Sequence, residues 1–305
     1  MNYRHVFHAG NFADVFKHAL LVRILLYLNR KDAPWRVIDT HAGEGAYDLA
    51  REESSRTGEW REGIARLRDL PGGEAADLLA PFLDLVGECD GEGRPHTYPG
   101  SPTLAQRLAR ANDRLIFCEK HPDAFAALKR RFARDRRVKA LDLDGWTALG
   151  AFVPPPERRG LVLVDPPFEA KDEFAMLARG FVAAFAKWTT GVYALWYPVK
   201  DPLAAAALWN AVRESGATRA LRLELAIAPD SHAGLVRTGL IVVNPPWTLE
   251  AEARILLPEL VRLMERAPGA GATAGASSGR PVSENSSDPS TVPPISIQCR
   301  DDAHA

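Results

Sequence analysis

At 305 residues, 46% hydrophobic and 25% charged, the chain has the composition of a globular protein with one large core or two modest ones, which excludes fibrous and wholly disordered classes. Its 38 basic and 39 acidic residues leave a net charge of -1, so nothing draws the whole molecule to nucleic acid or an anionic membrane, and any such contact requires a local basic patch. The three cysteines, Cys89, Cys118 and Cys299, are widely spaced without a CxxC or Cys/His pattern, which excludes a disulfide framework and a zinc site and points to a reducing compartment.

The first eighteen residues are rich in polar aromatic and cationic groups ahead of a helix that Asn11 can cap. Asp14, Lys17 and His18 fall at i, i+3 and i+4, so one helix face presents all three, a spacing that by itself reads as a solvated face. The apolar run that follows, Ala19 to Leu28, is interrupted by Arg23 and too short to span a bilayer, and the N-terminus lacks a signal-peptide cleavage site. A cytoplasmic protein with no membrane partner is expected.

A first strand over Arg36 to Thr40 runs into Asp39-Thr-His-Ala-Gly-Glu-Gly45, where glycines let the backbone turn tightly beside a ligand. The position three after Gly45 is Asp48, so the dinucleotide pattern GxGxxG is absent and a ligand without phosphates is the better fit. His41 sits in this turn, above the carboxyl end of the strand, where open α/β sheets hold their cofactors. About 70 residues separate this strand from the next, where a simple crossover needs about 30. Helical patterns at Arg61 to Asp69 and Glu74 to Val86 predict a small inserted helical subdomain, at about 48–97, either a solvated decoration or a substrate-facing lid. Tyr98-Pro-Gly-Ser-Pro102 then opens another helix, with Ser101 as the expected N-cap.

The second strand, Arg114 to Glu119, ends in a carboxylate able to accept both ribose hydroxyls of an adenosine. The third, Val138 to Leu141, leads to Asp142-Leu-Asp144-Gly145-Trp146, where an acid can bond an adenine amino group while Trp146 shields the ring. In sheet order the two favour an adenosine-containing cofactor without phosphates, a description that S-adenosylmethionine meets. Between these strands, Lys129 to Lys139 carries seven cations against Asp135 alone, a solvated face or an RNA contact.

The fourth strand, Leu161 to Asp165, is wholly apolar and ends in Asp165-Pro166-Pro167-Phe168. An exocyclic base amine is a poor nucleophile because its lone pair is delocalised into the ring. A carboxylate and a carbonyl that accept its two N–H bonds hold the nitrogen in a tetrahedral-like state from which it can attack a methyl sulfonium; Asp165 and the Pro166 carbonyl would supply them. Phe168 offers a face for stacking the base, a contact worth roughly 1–3 kcal/mol.

Val192 to Tyr197, Leu221 to Ile227 and Leu240 to Asn244 complete seven strands, the last two too close in sequence for a parallel crossover and so an antiparallel hairpin. The expected fold is α/β: a Rossmann-like S-adenosylmethionine-dependent methyltransferase sheet of seven mostly parallel strands ending in an antiparallel hairpin, with a small helical insertion. A second such motif, Asn244-Pro245-Pro246-Trp247, should emerge at the edge away from the cofactor because its strand runs against the parallel set. A methyltransferase domain is thus expected over residues 1–266, and a disordered tail over 267–305, which is dominated by Gly, Ala, Ser, Pro and Thr.

Six segments together resemble the RlmJ family of 23S ribosomal RNA methyltransferases: Tyr-Arg-His-x-Phe-His-Ala-Gly-Asn at the start, Asp-Thr-His-Ala-Gly at 39–43, Tyr-Pro-Gly-Ser-Pro at 98–102, Asp-Pro-Pro-Phe at 165–168, Tyr-Ala-Leu-Trp-Tyr-Pro at 193–198 and Asn-Pro-Pro-Trp at 244–247. The resemblance implies transfer of a methyl group from S-adenosylmethionine to N6 of adenine 2030 in 23S rRNA. It implies cofactor contacts at His18, His41, Ser101, Glu119, Asp144, Gly145 and Asp165, catalysis at Asp165 with Pro166 and Phe168, no metal, and roles for Tyr3, His5 and Lys17 at the RNA or active-site opening. The family motif commonly reads Asp-Pro-Pro-Tyr, so Phe168 keeps the stacking face and loses the hydroxyl. The expected partner is 23S rRNA, naked or in an early assembly intermediate, with no obligate protein partner.

Three other readings use the same residues. DNA adenine methylation shares the Asp-Pro-Pro loop, but no second domain large enough to clamp a duplex is apparent. Amine methylation on a protein or small molecule would leave the basic N-terminus idle. A ribosome-binding module without catalysis predicts a broken cofactor site, whereas Asp165, Glu119 and Asp144 are intact.

Overall fold

The computed structural model describes residues 4–232, 234–278 and 295–297. The first helix, α1 (Phe12–Leu28), is capped by the Asn11 side chain, which accepts the Asp14 N–H at 2.9 Å. Fourteen of its 17 residues are buried, so it lies inside the molecule rather than on it. Arg23 is accommodated there by a bidentate pair with Glu252, at 2.9 Å to each carboxylate oxygen.

Strand β1 (Arg36–Asp39) is followed by the short β2 (Ala46–Tyr47), the helices α2 (Glu52–Thr57) and α3 (Glu74–Val86), and β3 (Tyr98–Pro99). β2 and β3 pair antiparallel and close the insertion at its neck. The segment Ile64–Asp69, expected as helical, is a 3-10 helix, and α3 has the expected bounds. The insertion packs on α1 and on the last helix. It also touches the N-terminus where Ile64 N–H donates to Gly10 O at 2.9 Å, a contact so close that a Cβ on Gly63 would lie 2.1 Å from that oxygen.

Next come α4 (Ser101–Leu108), β4 (Arg114–Glu119), α5 (Pro122–Phe132), β5 (Val138–Asp142), α6 (Gly145–Ala151), β6 (Gly160–Val164), α7 (Glu173–Lys187), β7 (Val192–Pro198), α8 (Pro202–Glu214), β8 (Arg219–Ala226), β9 (Arg237–Val243), α9 (Leu249–Met264) and β10 (Gly271–Ser278), with a last short strand at Ile295–Ile297. The seven expected strands all form, within two or three residues of their expected bounds. From one edge the sheet runs β5, β4, β1, β6, β7, β9, β8, β10 and then the short strand Ile295–Ile297; the first five are parallel, and β9, β8, β10 and the last strand are antiparallel to their neighbours.

The tail boundary expected after residue 266 is corrected at its near end: Gly271–Ser278 pairs with β8 along its whole length, from Gly271 against Ala226 to Ser278 against Arg219. Such a segment is recruited by the unpaired backbone of β8, and its small side chains carry no apolar pattern to announce it, although Ala272 and Ala274 are buried. Residues 279–294 and 298–305 lie outside the described residues.

Both sheet faces are covered. One apolar core joins the sheet to α1, α3, α4 and α9; the other joins it to α6, α7 and α8. The chain leaves β1 for β4 on one side and returns to β6 on the other, so the carboxyl end of β1 is a topological switch point, where open α/β sheets bind ligands. Among the described residues no helix is long and apolar enough to cross a membrane.

Candidate active site

A cavity of about 560 Å³ opens at that switch point. Eleven of the twelve expected site residues line it: His5, Lys17, His18, His41, Ser101, Glu119, Asp144, Gly145, Asp165, Pro166 and Phe168. Tyr3 lies outside the described residues.

The floor is ionic. Lys17 forms ion pairs with Asp165, from the end of β6, and with Asp14 at 3.0 Å, and Asp14 in turn meets His5 Nε2 at 2.9 Å. Lys17 and Asp14 are 3% and 2% exposed, so the solvated-face reading of α1 is overturned. Burial works against both charges; the adjoining carboxylates nevertheless hold the Lys17 ammonium above its ordinary pKa, and His5 and Lys17 hold Asp14 well below its own. His5, Asp14, Lys17 and Asp165 thus form a continuous chain of polar contacts.

Two histidines of the cavity, His18 and His41, are neutral. Burial depresses His18 to about 3 and His41 to about 4. His18 Nδ1 is 2.8 Å from the Tyr98 hydroxyl. The Thr40 hydroxyl donates to Leu163 O at 3.1 Å, which makes His41 Nδ1, 2.8 Å from that hydroxyl, the donor of the pair and leaves Nε2 as an acceptor. Gly145 packs so closely here that a Cβ would stand 2.5 Å from His41 Nε2 and from Thr40 O. Trp146 meets the His41 ring edge-on at 5.2 Å between centroids.

The carboxylates at the strand ends are held by backbone donors. Glu119 accepts from Gly43 N and His121 N, both at 2.7 Å, tying the glycine turn to β4. Asp144 caps α6, its Oδ2 accepting from Thr147 N at 2.8 Å and Thr147 Oγ1 at 3.0 Å, and its Oδ1 has no partner among the described residues. Ser101 differs from its expected role: Gly100 is the N-cap of α4, and the Ser101 hydroxyl donates to Asp39 Oδ2 at 2.7 Å. Burial, with a further push from Asp165, raises the Asp39 carboxyl to about 7.

Over the Asp165 end of the cavity sits an aromatic corner. Phe168 adopts φ +51°, a conformation disfavoured for a bulky residue and tolerated where surrounding contacts hold it. Those contacts are Phe174 at 4.7 Å and Trp196 at 5.7 Å, with the Lys17 ammonium 5.6 Å from the Trp196 ring. As expected from strand polarity, Asn244 is at the other end of the sheet, its side-chain amide donating to Thr189 O and Gly191 O at 2.8 Å each.

Asp14, Asp39, Tyr98, Trp196 and Lys200 are among the site residues that went unassigned from sequence. Tyr98, Trp196 and Asp39 stand inside quoted motifs and so carried a signal. Lys200, at the rim, carried none; it has no hydrogen-bond or ion-pair partner among the described residues, because the neighbouring Asp201 is used to cap α8. Among the described residues no cluster of three His, Cys, Asp or Glu side chains could hold a metal.

Strand order and a cavity lined with carboxylates at successive strand ends define a Rossmann-like methyltransferase. The chain belongs to the family described as ribosomal RNA large subunit methyltransferase D, RlmJ, whose profile matches residues 32–274. It is 41% identical over 264 residues to ribosomal RNA large subunit methyltransferase J of Escherichia coli K12, covering 85% of this chain and 92% of that protein. The protein of the same name from Haemophilus influenzae is 37% identical, with 87% and 94% covered. A crystal structure of a Legionella pneumophila protein superposes with a TM-score of 0.79 at 34% identity, over 89% of this chain and 98% of that one.

Proposed function

We propose that the chain methylates the exocyclic N6 of one adenine, adenine 2030, in 23S ribosomal RNA, with S-adenosylmethionine as donor. The observation that carries the reading is the Lys17–Asp165 ion pair, which fixes a carboxylate beside Pro166 and Phe168 in the same cavity as His18, His41, Ser101, Glu119, Asp144 and Gly145. With ribosomal RNA as substrate, the compartment is the cytoplasm.

The donor set suits that cofactor. Glu119 retains a second lone pair on each oxygen for ribose hydroxyls, and the partnerless Oδ1 of Asp144 suits an adenine amino group. Neutral His18 and His41 offer polar contacts without the cations a phosphate would require. The cofactor supplies an electrophilic methyl sulfonium when bound.

The target adenine must be unstacked and flipped into the cavity, where Phe168 stacks on it. Asp165 and the Pro166 carbonyl accept the two N–H bonds of its amine. The Lys17 ammonium pairs with Asp165 and orients its carboxylate as an acceptor for the amine. A neutral base amine does not need deprotonation first: once methylated it is cationic and acidic, and its proton passes to Asp165 or water.

Labelled S-adenosylmethionine incubated with unmodified 23S rRNA, duplex DNA and protein extract, followed by mass spectrometry, tests the reading. N6-methyladenosine in the rRNA alone is expected. Label in DNA or protein, or turnover unchanged in Asp165→Ala, overturns it.

A further inference from the structure

Outside the cavity, the strongest concentration of charge lies where α5 ends and β5 begins. Arg107 of α4 and Arg131, Arg134 and Arg136 line one groove together with Thr103 and Gln106. All four arginines are exposed. Asp135, the acid among them, is already spent: it accepts from Arg137 at 2.6–2.9 Å and from Gln106 at 2.8 Å. Arg134 and Arg136, with Arg130 and Lys139 beside them, have no hydrogen-bond or ion-pair partner among the described residues. Burial lowers the Arg131 pKa; Glu44 and Tyr47 counter this, while the neighbouring Arg51 and Arg107 add to it. Exposed like charges gathered in one groove, with the acid among them already engaged, suit a polyanion.

The groove adjoins the cavity. Arg131 donates to Glu44 O at 3.3 Å and to Ala46 O at 3.4 Å, bracing from behind the turn whose Gly43 and Glu44 line the cavity. Asp123 and Ala124 in the first turn of α5 also line the cavity, while the groove sits at its last turn. Eight residues of helix, Asp123 to Arg131, separate the two by about 12 Å.

We propose that this groove is a second RNA-binding surface, which grips backbone phosphates of the substrate away from the flipped adenine. The inference rests on the RNA reading above. Phosphate contacts of this kind fix register and orientation and read no sequence, so the groove holds the strand while the cavity selects the base. An anionic membrane is the other polyanionic surface available, but the bracing of the cavity turn by Arg131 favours the ligand that the cavity itself engages.

The test compares the full-length protein with its Arg134→Gln/Arg136→Gln variant, two exposed positions whose loss leaves the core intact. Binding to a 23S rRNA transcript is measured across a salt series, alongside binding of S-adenosylhomocysteine. The variant is expected to shallow the log–log salt slope by about 2, to raise KM for RNA about tenfold, and to leave kcat and S-adenosylhomocysteine binding unchanged. An unchanged slope and KM in a wild type that methylates rRNA overturns the groove alone. Absence of methyl transfer by the wild type overturns the functional reading, and the binding slopes still decide whether the groove holds RNA. Binding to phosphatidylserine vesicles that the variant loses, with RNA parameters intact, overturns the choice of RNA.

Discussion

Lys17 and Asp165 stand 148 residues apart in the chain and meet as a buried ion pair, Lys17 also holding Asp14 at 3.0 Å. Removing one partner of such a pair strands the other charge, at a cost of about 3–5 kcal/mol. Lys17→Met should therefore lower the melting temperature as well as methyl transfer. Asp165→Asn, which keeps the shape and leaves Asp14 to neutralise Lys17, should abolish turnover with a smaller loss of stability. Thermal denaturation of both variants beside a methyl-transfer assay checks the contrast.

The Asp39 carboxyl, raised to about 7, makes stability depend on pH in an identifiable direction. The native state favours the protonated acid, so its contribution is present below the unfolded value near 3.8 and is lost as pH rises towards 7. Asp39→Asn mimics the protonated form and keeps an acceptor for Ser101. Relative to wild type it should gain melting temperature at pH 8 and lose that advantage at pH 4, a trend read by calorimetry across the range.

Gly145→Ala places a methyl group 2.5 Å from the backbone oxygen of Thr40, which cannot move without disturbing β1. Binding of S-adenosylhomocysteine by titration calorimetry should weaken at least tenfold, a loss of about 1.4 kcal/mol. Unchanged binding would remove Gly145 from the cofactor site.

Phe168 is expected to act on RNA rather than on the cofactor. Phe168→Ala removes the stacking face and should raise KM for RNA by roughly ten- to a hundredfold, the equivalent of 1–3 kcal/mol, with S-adenosylhomocysteine binding intact. Phe168→Tyr should remain active. Kinetics against RNA concentration separate the two.

Deleting the chain from Gly271 onward uncovers the β8 edge along eight paired residues. The shortened protein should melt lower and aggregate at concentrations the full chain tolerates, since an unpaired edge strand templates association. Light scattering during thermal denaturation reads both effects.

How far the sequence could be read follows from how local each signal is. Leu161 to Val164 announce a buried parallel strand by unbroken apolar character, and Asp165-Pro-Pro-Phe168 announces its end, so both strand and loop were legible. Gly271–Ser278 has neither apolar alternation nor branched residues, and its structure comes from the partner's backbone. Ser101 beside Pro102 looks like a cap because caps are local, whereas its bond to Asp39 spans 62 residues. For the same reason the helical spacing of Asp14, Lys17 and His18 was visible and its burial was not: a charged triplet reads as solvated until the distant carboxylate that neutralises it is placed beside it.

The burial of α1 on every side also has a temporal side. This helix is translated before α3, α4 and α9, which pack on it, and α9, which supplies Glu252 for Arg23, follows some 220 residues later. At a synthesis rate of about 5–20 residues per second, the apolar surface of α1 stays without its final partners for roughly ten seconds or more. A nascent chain of this protein should therefore depend on the chaperones that shield newly made apolar helices, more heavily than a chain of equal length whose first helix lies on the surface.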